Sequence, residues 1–321
     1  MMLASLSLLG WPRGEPALSI LIYHRVLPAP DAMRPGEIDA ERFEAQVSFL
    51  AKHFSLMTVS DAALALREGR LPRRAACITF DDGYADNWTV AHPILARHDA
   101  RATIYIATGY LNGGRMFSDT VIEFVRRVPG PVLDLSPVGM GVHPVATDEE
   151  RLKAVSALQV QLKYLAPEER DAQVRRMLAA QPVGALPDDL MLTDAQLRQL
   201  ADAGHEIGGH TVDHTVLTTL SPDDARAQVQ AGRDHLAALL GRPVRSFAYP
   251  NGRPVRDYDA GHPAMLRELG FEAAVSTSPG VALPGADPFQ LPRYTPWGNS
   301  TAMFAARMMR NARMGGPAAV V

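Results

Sequence analysis

Seven short apolar, β-branched runs are strung along this chain, alternating with longer stretches of helical patterning. The runs are Leu18–Tyr23, Ala76–Phe80, Ala102–Ile106, His205–Gly208, Val244–Tyr249, Phe271–Ser276 and Gln290–Tyr294, the last the weakest of them. Helical stretches lie near 41–53, 60–68, 86–97, 193–203, 221–240 and 261–269. Strands alternating with helices require crossover connections, so the strands pair in parallel and the helices cover the outside. Seven such strands suit a distorted or incomplete (β/α) barrel better than an open sheet.

Local signals support the helix boundaries. Thr193 with Gln196 three residues on has the form of a capping box. Ser221-Pro222-Asp223-Asp224 supplies an N-cap, a proline at the first helical position and two acids in the first turn. Between about 118 and 190 the alternation fails. No strand is expected after Leu135, and charged helical stretches near 148–165 and 167–180 follow. This reads as a helical insertion on one barrel loop. The 321 residues, 47% of them hydrophobic, then form a single domain over 1–321 with its core at 18–296.

Composition removes several classes of function. The formal net charge of −3 calls for neither nucleic acid nor an acidic membrane as partner. The one cysteine, Cys77, lies in an apolar run and is expected to be buried, which excludes a disulfide framework. Met1 to Gly10 is apolar but short, and the first basic residue is Arg13. It makes a poor signal peptide and is too short to span a membrane, so a soluble cytoplasmic protein is expected. A terminal helix with Arg307, Arg310 and Arg313 forms a solvated basic stripe, or a contact for a membrane or an anionic glycan.

Two clusters carry chemistry. Thr79-Phe80-Asp81-Asp82-Gly83 ends an apolar run, and His210-Thr211-Val212-Asp213-His214 follows another. The C-terminal ends of barrel strands carry the active site. Asp-Asp-Gly alone is ordinary turn chemistry. Two His four apart, on one helical turn, would share a face. Asp213 between them would look elsewhere, as a capping or supporting acid. Combined, the clusters suggest Asp82, His210 and His214 as three ligands with room left for water. A metal there lowers the pKa of water and polarises a carbonyl, and Asp81 can act as general base.

With these motifs the chain resembles the NodB-type polysaccharide deacetylases of carbohydrate esterase family 4, over about Leu18 to Tyr294. TFDDG stands at 79–83 and H-[ST]-x-x-H at 210–214. Tyr23-His24-Arg25-Val26 and Phe247-Ala248-Tyr249-Pro250-Asn251-Gly252 look like the branch that de-N-acetylates bacterial exopolysaccharides. The resemblance implies Asp81 as base and Asp82, His210 and His214 on a divalent metal, most often zinc. It also implies the Asn251 backbone N–H at the oxyanion, with Tyr249 as an oxyanion or substrate-binding residue. Two departures stand out. Ala248 replaces the family's Arg, and Leu-x-His is missing from Phe271–Gly280.

His24, at the end of the first strand, resembles the general acid of the exopolysaccharide branch; the alternative is a hydrogen-bonded core His. Arg293 either orients Asp81 or is a surface Arg. Tyr84, Trp88 and Trp297 flank the site and can stack on sugar rings, although Trp88, on a helix, also fits core packing. The other histidines receive no role, His205 because it begins its strand. The implied activity is hydrolysis of acetyl groups from N- or O-acetylated sugars in a bacterial polysaccharide or its precursor. A non-catalytic glycan-binding protein on the same fold is the alternative. A non-haem iron centre fits the ligand set but not the second Asp.

Overall fold

A computed structural model describes residues 16–314, apart from 297 and 299, and residue 319. The N-terminal stretch Met1 to Gly10 and Trp297 therefore lie outside the described residues. Six parallel strands form the main sheet: β1 (Leu18–Tyr23), β2 (Ala75–Phe80), β3 (Ala102–Ile106), β4 (Glu206–Gly209), β5 (Ser246–Ala248) and β6 (Ala273–Val275), in that spatial order. A short strand, Ser55–Leu56, extends the sheet beside the start of β2.

The expected seventh strand over 290–294 is a segment with only isolated bridges. Leu291 pairs with Val275 on one side and Tyr294 with Leu21 on the other. Its hydrogen bonds still join the two sheet edges: Leu291 N–H donates to Ala274 O, and Tyr294 N–H to Ile20 O. The ring is closed through a few bonds, a distorted barrel. Four strands differ from the sequence reading: β2 starts one residue earlier, β4 is shifted one residue later, and β5 and β6 are shorter at both ends.

Alternation along the strands sorts side chains into two cores. Ala75 and Cys77 of β2 pack with Leu18, Ile20, Tyr105, Ala248 and Val275, whereas Ala76, Ile78 and Phe80 pack with residues of the surrounding helices. The helices are α1 (Ala40–His53), α2 (Val59–Arg67), α3 (His92–Arg97), α4 (Phe117–Arg127), α5 (Asp148–Leu162), α6 (Pro167–Ala180), α7 (Asp194–Asp202), α8 (Pro222–Leu240), α9 (Gly261–Glu268) and α10 (Thr301–Ala312). The capping box at Thr193 and the Ser221 cap form as the sequence indicates. Among the described residues no helix is long and apolar enough to cross a membrane.

Helices α4, α5 and α6 lie between β3 and β4 and share a small core of their own, including Phe124, Leu133, Leu158 and Met177. Contrary to the sequence reading, a strand does follow Leu135. Val132–Asp134 and Val142–Pro144 form an antiparallel hairpin, with too few apolar residues to register in a pattern.

The bottom of the barrel holds a buried polar group. His205 precedes β4, away from the mouth. Its Nδ1 accepts from Ala102 N–H at 3.1 Å, so its proton sits on Nε2, 3.0 Å from His92 Nδ1. Burial, then the nearby His92 and Arg101, lower the His205 pKa to about 4. The unfolded chain therefore takes up a proton between about pH 6.5 and 4 that the folded chain refuses, and stability falls as pH falls through that window. His205→Gln should flatten this loss by up to about 3 kcal/mol, read from urea unfolding at pH 7 and pH 4.5. An unchanged pH dependence would mean that His205 titrates normally.

Candidate metal-assisted active site

Three loops at the C-terminal ends of β2, β4 and β5 make the mouth. Continued alternation from Cys77 and Thr79 aims Asp81 into the barrel, and it would send Asp82 to the opposite side. Asp82 instead has φ +78, a left-handed backbone followed by Gly83 at φ +89, and this reorients its carboxylate. Both acids are nearly fully buried.

The His210–His214 segment is not a helical turn, which corrects the sequence reading. It is a loop with Thr211 at φ +65 and His214 at φ +50. Helix α8 holds this loop: Gln228 accepts from Val212 N–H and Asp213 N–H and donates to Asp213 Oδ2. Asp213 thus braces the loop. Gly109 lets the β3 loop approach, since a Cβ there would lie 2.9 Å from Asp213 Oδ1. The backbone crossing, in place of a helix face, brings the imidazoles to a centroid distance of 4.8 Å.

Donor atoms of Asp82, His210 and His214 all lie within 4.8 Å of one another. Asp82 Oδ1 is 3.4 Å from Nε2 of each histidine and has no hydrogen-bond partner. His210 Nδ1 lies 2.7 Å from Ala248 O, which can only accept, so Nε2 carries the lone pair. A buried imidazole lone pair facing a buried carboxylate oxygen without a partner is costly unless a cation sits between them. The donor set of two imidazoles and one carboxylate, with an orphaned oxygen at its centre, fits a divalent metal.

The local field agrees. Burial would raise Asp82, but His214 and His210 hold it well below the usual carboxylate range. Burial holds His214 down at about 4, neutral and ready to ligate, against the pull of Asp82. At His210 burial also lowers the pKa, but Asp81 and Asp82 outweigh it and raise it. Proton and metal therefore compete for His210 Nε2.

Arg293 is not on the surface. It is 0% exposed and spans the barrel interior. Its guanidinium grips both Asp81 oxygens, at 2.7 and 2.8 Å, and also donates to Thr79 Oγ1 and Ser276 O. Burial alone would raise the Asp81 pKa; the Arg293 charge, then His210, bring it below its ordinary value. The guanidinium that Ala248 cannot supply thus arrives from the closing segment.

A cavity of about 460 Å³ opens over the Asp82–His210–His214 cluster, lined by Asp82, His214, His24, Tyr84 and Asn251 and walled by residues of α4, α5 and α6. His24 is exposed at the end of β1, not a core histidine. Tyr84 is a fixed wall, its hydroxyl donating to Asp119 Oδ2 at 2.8 Å. Asn251 sits at φ +59 in a turn pinned by Thr277, whose hydroxyl donates to Asn251 O at 2.7 Å.

Tyr249 corrects another expectation. Its ring is 0% exposed and stacked on Tyr258, and its hydroxyl donates to Phe289 O, so its side chain is core. Trp88 stacks on His92 and packs against the core. Sequence reasoning missed Asp119, Lys163 and Arg170 on the cavity wall, because the insertion carries no motif.

Residues 68–274 match the family model described as polysaccharide deacetylase. A Bacillus subtilis relative, YxkH, is 22% identical over 277 residues, covering 85% of this chain and 70% of its own. Among solved structures, the Streptococcus pyogenes deacetylase PplD, in complex with acetate, superposes with a TM-score of 0.62 at 20% identity, covering 92% of this chain and 99% of that one. IcaB from Ammonifex degensii superposes with a TM-score of 0.59 at 20% identity, covering 91% and 97%. The chain belongs to the polysaccharide deacetylase family, hydrolases that act on carbon–nitrogen bonds other than peptide bonds.

Removing one partner of a buried ion pair strands the other. Arg293→Met should destabilise the chelator-treated protein by about 3–5 kcal/mol in urea unfolding. Arg293→Lys, which keeps the charge but loses the fork, should cost less. A loss below about 1 kcal/mol for Arg293→Met would show that water replaces the guanidinium.

Proposed function

We propose that this polysaccharide deacetylase removes acetyl groups from N-acetylated sugar residues of a glycan, using a divalent metal, zinc by preference, on Asp82, His210 and His214. The observation that carries the reading is the orphaned Asp82 Oδ1, 3.4 Å from two imidazole nitrogens. A metal held there would polarise the acyl carbonyl and acidify water.

The chain's own groups do the rest. Asp81, kept ionised and oriented by Arg293, takes the proton of the attacking water. The Asn251 backbone N–H, at the turn held by Thr277, stabilises the oxygen on which negative charge develops. His24, exposed at the end of β1 on the rim of the same cavity, gives a proton to the departing sugar nitrogen as the carbon–nitrogen bond breaks. Tyr84 shapes the wall and takes no part in proton transfer, since its hydroxyl is engaged by Asp119. The buried Arg293–Asp81 clamp favours catalysis over glycan binding alone, because binding does not need an oriented base beside the metal ligands. An O-acetyl ester offers the same carbonyl, so both esters and amides belong in the assay.

Acetate release from acetylated chito-oligosaccharides and from an O-acetylated sugar, with metal content measured alongside, tests the roles. Asp81→Asn should keep metal and lose turnover by roughly 10²–10⁴-fold. Asp82→Ala should lose metal. His24→Ala should keep metal and lose about 10²-fold in kcat. Full turnover in Asp81→Asn would remove it as the base, and full turnover in His24→Ala would remove it as the acid.

A further inference from the structure

The cavity over the metal ligands continues into two others. It shares His24 and Glu37 with a second cavity of about 280 Å³, which shares Ile22 and Thr295 with a third of about 550 Å³ beside α10. The three therefore adjoin in a row, called the groove below, with His24 lining the first two.

Most charges along this groove are neutralised. Arg34 pairs with Asp119 and Glu123, Arg25 with Asp86, Arg42 with Asp39, and Arg293 with Asp81. Four cations remain without an ion-pair partner of ordinary length among the described residues. Lys163 and Arg170 stand on the insertion at one end, and Arg307 and Arg310 on α10 at the other. Glu37 is the one acid along the groove left outside these pairs and the metal-ligand cluster.

Arg170 is the clearest case. It is 4% exposed, its Nε has no hydrogen-bond partner, and the nearest acid, Asp171, is 4.0 Å away and largely solvated. Its guanidinium rests on the Phe117 ring at 4.8 Å, which orients the fork without neutralising it. A buried cation without a counter-charge is costly, and a planar fork fits a carboxylate or phosphate. Lys163, half-buried on the same wall, adds a second charge.

We infer that the groove binds a glycan bearing negatively charged groups, held by Arg170 and Lys163 on one side of the reacting residue and by Arg307 and Arg310 on the other. Placing an acetylated residue between them rests on the deacetylase reading above; the charge preference does not. The chain carries a net charge of −3, so the preference comes from the groove and not from the whole protein.

The test is calorimetric titration of the full chain with hyaluronan hexasaccharide, which alternates acetylated amino sugars with carboxylates, against neutral chitohexaose. N-acetylglucosamine 1-phosphate against N-acetylglucosamine is the phosphate arm. An anionic probe should bind about 10-fold tighter than its neutral counterpart at low salt, with most of the gain lost at high salt. Lys163→Gln, and Arg307→Gln with Arg310→Gln, are surface changes that should each reduce the gain by about 3-fold. Arg170→Gln should reduce it further if it folds. A gain in one arm alone assigns the charge to carboxylate or to phosphate. Equal affinity for charged and neutral probes, or a gain that survives the Lys163 and Arg307/Arg310 variants, overturns the inference. Acetate release from both hexasaccharides is read on the same samples. No release with the charge preference intact defeats the deacetylase reading alone; release without the preference defeats this one alone.

Discussion

The Arg293–Asp81 pair is the contact on which the mouth of this barrel depends. Arg293 belongs to the segment that joins β6 to β1, and its guanidinium reaches Ser276 beyond β6, Thr79 of β2 and Asp81 just after it. Four hydrogen bonds from one buried fork tie the weakest stretch of the ring to the strand that carries both acids. Charges this deep are tolerated only when fully bonded, and here the bonding also fixes the orientation of the proposed base. Closure of the fold and order in the site rest on the same side chain.

Around that anchor, the site is built from backbone that most residues avoid. Asp82, Thr211, His214 and Asn251 all have positive φ. Such conformations cost on the order of 1–3 kcal/mol each and persist where surrounding structure over-determines them. Gln228 from α8 and Thr277 after β6 supply that restraint. The strain is the means by which side chains due to point along strand faces converge over the mouth, where a cation can join them.

Much of this was legible. Hydrophobic periodicity located the barrel strands, and the caps at Thr193 and Ser221 located helix starts, because both signals are local. The two motifs named the donors by chemistry and order. The hairpin at 132–144 was not legible, since its strands are three residues each and mostly exposed. The helical turn expected for His210–His214 was wrong because i, i+4 spacing also arises when a loop doubles back at left-handed residues. Tyr249 was misjudged because it shares a sequence run with Asn251, while alternation turns its ring into the core.

By itself, then, the chain's sequence determined the layered α/β class and the family, and it singled out Asp82, His210 and His214, which the fold brings together, all through neighbouring residues. Tertiary structure alone decided where the guanidinium missing at Ala248 comes from and which residues wall the cleft. Arg293 is 212 residues from Asp81, and Lys163 and Arg170 sit on an insertion without a motif. Contacts at that separation are set by closure of the ring and by packing of helices over the mouth, which no local pattern encodes.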